Sequence, residues 1–211
     1  MEEIRFGLFI TWTCYGTWLP GDERGFVSNK LLPRGREGSE GRFVRKINVV
    51  GEEPHRDDPY TLQRAKTLQK HETAKLTKLL ALCAAQAIIE AASDRDWMIL
   101  RGALMATHVH VVVVRCPDDG PAVRRVLKGN AQASLSDHVG QNRKWWTKGG
   151  SNRYLHGSDS IHNTITYVEN QEFILAAIVN NELCEPAGLP RRQDSAGEPA
   201  GLSRRPDEPA G

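Results

Sequence analysis

Cysteine is scarce in this chain. Four occur in 211 residues (Cys14, Cys83, Cys116, Cys184), far apart and with no CxxC pair. That excludes a disulfide framework and a cysteine zinc site, and it suits a reducing compartment. Long apolar runs are missing too: none approaches the roughly 18 residues a membrane span needs. The first residues, MEEIRFGLFI, open on two acids and carry no basic n-region, so no secretory signal is expected. The expectation is a cytoplasmic protein without a membrane partner. A strong net charge is also lacking, at +2. That total excludes neither an acidic nor a basic partner, so the distribution of charge has to be read instead.

The distribution is uneven. From Arg124 to Arg153 there are seven basic residues and one acid, Asp137; from Arg24 to Lys46 there are seven basic residues against Glu37 and Glu40. Local basic fields on a near-neutral chain suit a polyanion held at a defined place. Chance clustering of surface charge is the plainer alternative.

Alternation of Phe6, Leu8, Ile10 and Trp12 predicts a first strand, closed by Pro20-Gly21-Asp22. Residues 22–60, rich in Gly, Pro, Arg and Glu, read as an elaborated loop with a small strand at 47–50. The segment from Glu72 to Asp94 predicts a helix whose stripe is Leu76, Leu79, Leu80, Cys83, Ala87 and Ile88. WMILRGALMA and HVHVVVVRC read as a hairpin of two strands around Ala106-Thr107. A second helix follows, capped by Asp118 or Asp119, with Pro121 in its first turn and Gly140 at its end. A short strand at 153–155 precedes a third helix over 158–185, capped by Ser158 or Asp159, with Ile161, Ile165, Val168 and Leu175 as its stripe. The order of elements is that of an α+β fold: a ferredoxin-like split βαβ antiparallel sheet with helices on one face and a further C-terminal helix. One domain over 1–184 is expected. Residues 185–211 hold a 13-residue repeat (EPAGLPRRQDSAG, then EPAGLSRRPDEPAG) too poor in apolar groups to fold. This tail is either an interaction arm or a passive product of repetitive coding.

The stretch MATHVHVVVV carries the chemistry. Residues two apart on a strand share a side, so His108 and His110 face one way and Val109, Val111 and Val113 the other. The valine side can pack on helices. The histidine side can hold a metal or a phosphate, or simply two satisfied imidazoles on an open sheet face. Mn²⁺ accepts nitrogen and oxygen donors, whereas Mg²⁺ prefers oxygen. A third ligand would come from a neighbouring element, and TYVENQ offers Tyr167 and Gln171 at i, i+4 on one helix face.

HVH on a central strand, followed by a tyrosine on the last helix, resembles the single-tyrosine HUH transposases (the IS200-like transposase domain). The REP-associated tyrosine transposase branch is the most similar, and FITWTCYGTWLPGDERG and WWTKGGSNRYL resemble that group as well. The resemblance spans about residues 6–180. It implies that His108, His110 and Gln171 hold a divalent metal, Mg²⁺ or Mn²⁺, and that Tyr167 is the catalytic nucleophile. It implies attack on single-stranded or hairpin DNA, leaving a 5′-phosphotyrosine link and a free 3′-OH. It also implies a nucleoid-associated protein of a prokaryote. Members act as monomers or as dimers that exchange the tyrosine helix, so a homodimer stays open. Two positions depart from the pattern: Thr107 stands where relatives often carry Asn, and YVENQE lacks the Asn-Pro frequent in the REP-associated branch.

Physical argument adds DNA contacts. Arg124, Arg125 and Lys128 lie to one side of the second helix. Trp145 and Trp146, with Arg143, Lys144, Lys148 and Arg153, combine aromatic rings and positive charge, as in surfaces that stack unpaired bases and hold their backbone. The alternative there is a solvated helix face with tryptophans in the core. Besides the transposase reading, the sequence leaves open a catalytically silent nucleic-acid-binding module and a structural metal protein.

Overall fold

A computed structural model describes residues 6–24, 32–33, 43–44, 59–117 and 119–184. The 47–50 strand, the Asp118 cap, most of the 22–60 loop and the 185–211 tail lie outside the described residues.

The main sheet has six strands in the order β6-β1-β5-β4-β7-β8. Its first four are β1 (Phe6–Thr13), β4 (Met98–Leu104), β5 (His108–Val114) and β6 (Ser151–His156). Helix α2 (Lys78–Ser93) joins β1 to β4, and α3 (Gly120–Val139) joins β5 to β6. Every pairing is antiparallel. The order of these four strands and two helices is the ferredoxin-like split βαβ arrangement expected from the chain. Two-residue strands β2 (Leu32–Pro33) and β3 (Phe43–Val44) pair apart from this sheet.

Period-2 alternation divides the core in two. Leu8, Ile10 and Trp12 of β1 and Val109, Val111 and Val113 of β5 pack under α2 and α3. Val112 and Val114 face the other way, against Leu155 and against Ile161 and Val168 of α4 (Ser158–Glu169). The sheet is therefore covered on both sides, and among the described helices α4 alone lies on the histidine side.

Three helices differ from the sequence reading. The α2 helix starts at Lys78 behind the Thr77 cap. Residues before it run extended, with Ala74 and Leu76 donating to the Tyr15 and Ala106 carbonyls. Its buried stripe is mostly alanine (Ala81, Ala84, Ala85) with Ile88, while Leu79 is exposed, because small side chains let α2 sit close to α3 and the sheet. The α3 helix follows expectation, with Asp119 accepting from Ala122 N–H and Gly140 left-handed at its end.

The third expected helix, over 158–185, is a correction. It ends at Glu169, and Gly157 precedes it without a side-chain cap. The rest forms β7 (Ala176–Val179) and β8 (Glu182–Cys184), joined by Asn180 and Asn181 at φ 52° and 61°. Two consecutive positive-φ asparagines make the tight turn of a hairpin. That hairpin extends the sheet at β4, and Leu175 serves this junction through its bond to the Leu104 carbonyl. Helix α1 (Pro59–Thr67), unread in the sequence, buries none of its residues.

Candidate active site

His108 and His110 stand on the α4 side of β5, in register with Thr13 and Thr11 of β1. Their ring centroids are 4.9 Å apart and nearly perpendicular. Each Nδ1 meets a threonine hydroxyl: Thr11 Oγ1 lies 2.8 Å from His110 Nδ1, and Thr107 Oγ1 lies 3.0 Å from His108 Nδ1. A hydroxyl can accept the Nδ1 proton, which leaves the Nε2 lone pair for a ligand. Thr107 thus supplies a partner to the histidine beside it.

Both imidazoles are shifted toward the neutral form. Burial pushes His110 down to about 4, and the neighbouring His108 adds to the effect. Burial also pushes His108 down; a hydrogen bond with the Gln171 side chain opposes this, and the Arg24 charge reinforces it. Neutral imidazole is the form that ligates metals.

Tyr167 comes from the last turn of α4. Its ring is 52% exposed and stands edge-on to His110 at 5.7 Å and to Phe9 at 5.9 Å. Phe9 in turn stacks on His110 at 5.4 Å. Tyrosine and histidines thus meet within one chain. The ion pair between Arg101 of β4 and Glu169 fastens the end of α4 to the sheet. Gln171 lies just past the helix, not on it as expected. Its Nε2 donates to the Tyr167 carbonyl at 3.0 Å, and its side chain reaches His108.

Among the described residues no three His, Cys, Asp or Glu side chains cluster as a metal site. The donor set that fits a divalent ion is two neutral imidazoles with an amide oxygen, a nitrogen and oxygen mixture acceptable to Mn²⁺.

The expected DNA-contact residues separate into three groups. Arg124, Arg125, Lys128, Arg143 and Lys144 line a groove of about 850 Å³ beside α3, on the side of the sheet away from Tyr167. Two of these cations also brace the chain. Arg124 donates to the Gly150 carbonyl at 2.6 Å and to Asn152, and Lys128 donates to the carbonyls of Thr147 and Gly149. Gly150 has to be glycine, since a Cβ there would come 2.5 Å from the Thr11 carbonyl oxygen. Arg153 is elsewhere: exposed on β6 opposite Phe9, it shares the histidine side with Leu155. Lys148 borders a separate cavity beside α1.

Trp145 and Trp146 correct the stacking expectation. Each is only 3% exposed, and Trp146 packs edge-on to Trp12 at 6.0 Å. Apolar area drives both rings into the core under α3, so they support the groove from beneath, and Trp146 forms part of its lining.

Sequence reasoning missed Phe9, Thr11 and Arg101. The period of β1 placed Thr11 opposite the Leu8, Ile10 and Trp12 side, but its partner strand was not readable from β1 alone.

No family model matches the chain, and no curated protein matches it. Solved structures do. One, described as "Structure of the REP associates tyrosine transposase bound to a REP hairpin", is similar over 80% of this chain and 68% of that one. It shares 12% identity at a TM-score of 0.40.

Proposed function

We propose that this chain nicks and rejoins single-stranded DNA, in the manner of a transposase, through a covalent link to Tyr167. One observation carries the reading: an exposed tyrosine stands edge-on to His110, one of two adjoining histidines whose Nδ1 atoms are both tied to threonines. Core packing alone does not call for that polar arrangement on the face of a sheet.

The Tyr167 oxygen attacks the phosphorus of a phosphodiester. The new bond is Tyr–O–P, the bond broken is P–O3′, and the leaving 3′ oxygen takes up a proton as the tyrosine loses one. The reverse attack by a 3′-OH rejoins the strand and frees Tyr167. Tyrosine is a weak nucleophile at neutral pH, so the scissile phosphate must be polarised. A divalent ion, Mg²⁺ or Mn²⁺, held by His108, His110 and Gln171 would supply that polarisation when bound. Arg153, on the same side of the sheet, suits the backbone of the bound strand. Phe9 holds His110 and Tyr167 in place by packing on both. Nucleophile and His110 meet within one chain, an arrangement that suits a cut made in cis.

The test is a denaturing gel of the full chain with hairpin-flanked single-stranded oligonucleotides and Mn²⁺ or Mg²⁺. A covalent adduct that disappears in Tyr167→Phe, with oligonucleotide binding retained, is the expected result. Absence of any adduct across a broad oligonucleotide panel would overturn the reading. The groove beside α3, remote from the histidines, favours a second one: a nucleic-acid-binding module without catalysis, whose affinity ignores metal and His108→Ala.

A further inference from the structure

A second cavity, of about 530 Å³, opens between α1 and the turn that follows β1. That volume is within the range of small-ligand sites, about 300–1,000 Å³. Tyr15, Leu19, Tyr60 and Leu68 give it flat and apolar walls, while Arg64 and Lys148 bring positive charge. Tyr60 is 59% exposed and Leu68 69%, and α1 buries none of its own residues. Among the described residues, large exposed apolar side chains thus surround a concave space edged by cations.

We propose that this cavity takes one unstacked nucleobase of a single-stranded nucleic acid. Such a base has two apolar faces and a phosphate on either side, matching aromatic walls with cations next to them. Position narrows the choice of occupant. Tyr15 divides the cavity from the basic groove: its ring meets His71 edge-on and Lys144 lies over it, and both of those residues line the groove. On the other side, Thr147 lines the cavity and its hydroxyl lies 2.8 Å from that of Thr13, the register partner of His108. The cavity therefore adjoins both the groove and the histidine end of the sheet. A strand crossing from one to the other passes its mouth. Gly16, at φ 76°, belongs to its floor; a Cβ there would come 2.2 Å from Gln69 Nε2.

The proposal rests on the reading of this chain as a single-strand DNA enzyme, yet it can fail separately. Fluorescence anisotropy of the full chain would compare oligo(dT) and oligo(dA) with an abasic deoxyribose-phosphate oligomer of equal length. Tyr60→Ala should weaken the base-bearing oligomers by at least about fivefold, from the loss of one stacking contact. It should leave the abasic oligomer unchanged, and Tyr60→Phe should restore the difference. Arg64→Met should weaken both kinds alike. In a second measurement, 4-thiothymidine in the oligomer should crosslink to the peptide holding Tyr15 or to that holding Tyr60. Equal losses on base-bearing and abasic oligomers in Tyr60→Ala, or no loss on either, overturn the proposal. A Tyr167 adduct without the Tyr60 effect removes the base pocket and leaves the enzyme. The Tyr60 effect without an adduct removes the enzyme and leaves the pocket.

Discussion

Thr11 and His110 face each other across the β1–β5 pairing, with the threonine hydroxyl 2.8 Å from Nδ1. Metal-ligating histidines owe their ring orientation and basicity to such partners, and losing one commonly costs about 10–100-fold in affinity or activity. Thr11→Val keeps the shape and the β-branch, so the sheet should stand. Mn²⁺ affinity by calorimetry should drop by about that factor, and adduct formation should slow with it. Unchanged metal affinity would mean the hydroxyl does nothing for the histidine.

The tether at the end of α4 makes a different prediction. Glu169 is about two-fifths exposed, so its pair with Arg101 contributes little stability, roughly 0–1 kcal/mol. Its effect is on position, since Tyr167 lies two residues away. Glu169→Gln should leave the melting temperature nearly unchanged and slow the covalent step, with oligonucleotide affinity intact. A large loss of stability with an unaltered adduct rate would reverse that assignment.

Trp146 lies between the core and the basic groove. A buried tryptophan cut to alanine costs about 3–5 kcal/mol, so Trp146→Ala should shift urea unfolding by that amount. An exposed stacking tryptophan would instead lose oligonucleotide affinity at nearly constant stability. That second pattern would return Trp146 to the binding surface.

Lys128 sets a pH dependence. Burial, with Arg124 and Lys144 close by, pushes its ammonium down to about 8. The folded chain then releases this proton before the unfolded chain does. This group's contribution to stability is least favourable below about 8, and it improves as pH rises from there toward the unfolded lysine value of about 10.4. Polyanion binding runs the other way and should weaken as pH rises through about 8. Lys128→Met should flatten that fall and make the salt dependence of single-strand binding shallower by about 0.7 in log–log slope. Oligonucleotide titrations across this range check both, and an unaltered profile in the variant would take Lys128 out of the binding surface.

Chelation distinguishes an enzyme from a structural metal protein. Two apolar clusters hold the sheet from both sides, and burial favours the neutral form of both histidines. EDTA should therefore abolish the adduct while circular dichroism and cooperative thermal unfolding stay close to those of the metal-loaded chain. Unfolding on chelation would favour the structural role.

The histidine pair was readable because a strand has a period of two, and alternation alone sorts imidazoles from valines. The end of α4 was not. FILAAIV is apolar throughout and suits a helix or a buried strand, and only the Asn180-Asn181 pair marked the hairpin. Gln171 fell near the histidines, but by way of the turn after the helix. Trp145 and Trp146 misled because aromatic rings beside basic residues suit a base-binding surface and a core under a basic groove equally well. Arg124 and Arg153 are joined by one charged stretch in sequence, yet the β5–α3–β6 crossover puts them on opposite sides of the sheet. Local charge counts carry no information about that.

The alternation of β5 has a consequence for how such a protein can change. Histidine and valine alternate over 108–111, and Val112 and Val114 continue the histidine side, so core and chemistry share a single reading frame. A one-residue slip of β5 against β1 would turn His108 and His110 into the α2–α3 side and Val109 and Val111 toward Tyr167. Substitution can silence this site and leave a folded protein. A length change in β5 removes both at once, so folded but inactive descendants should keep its length.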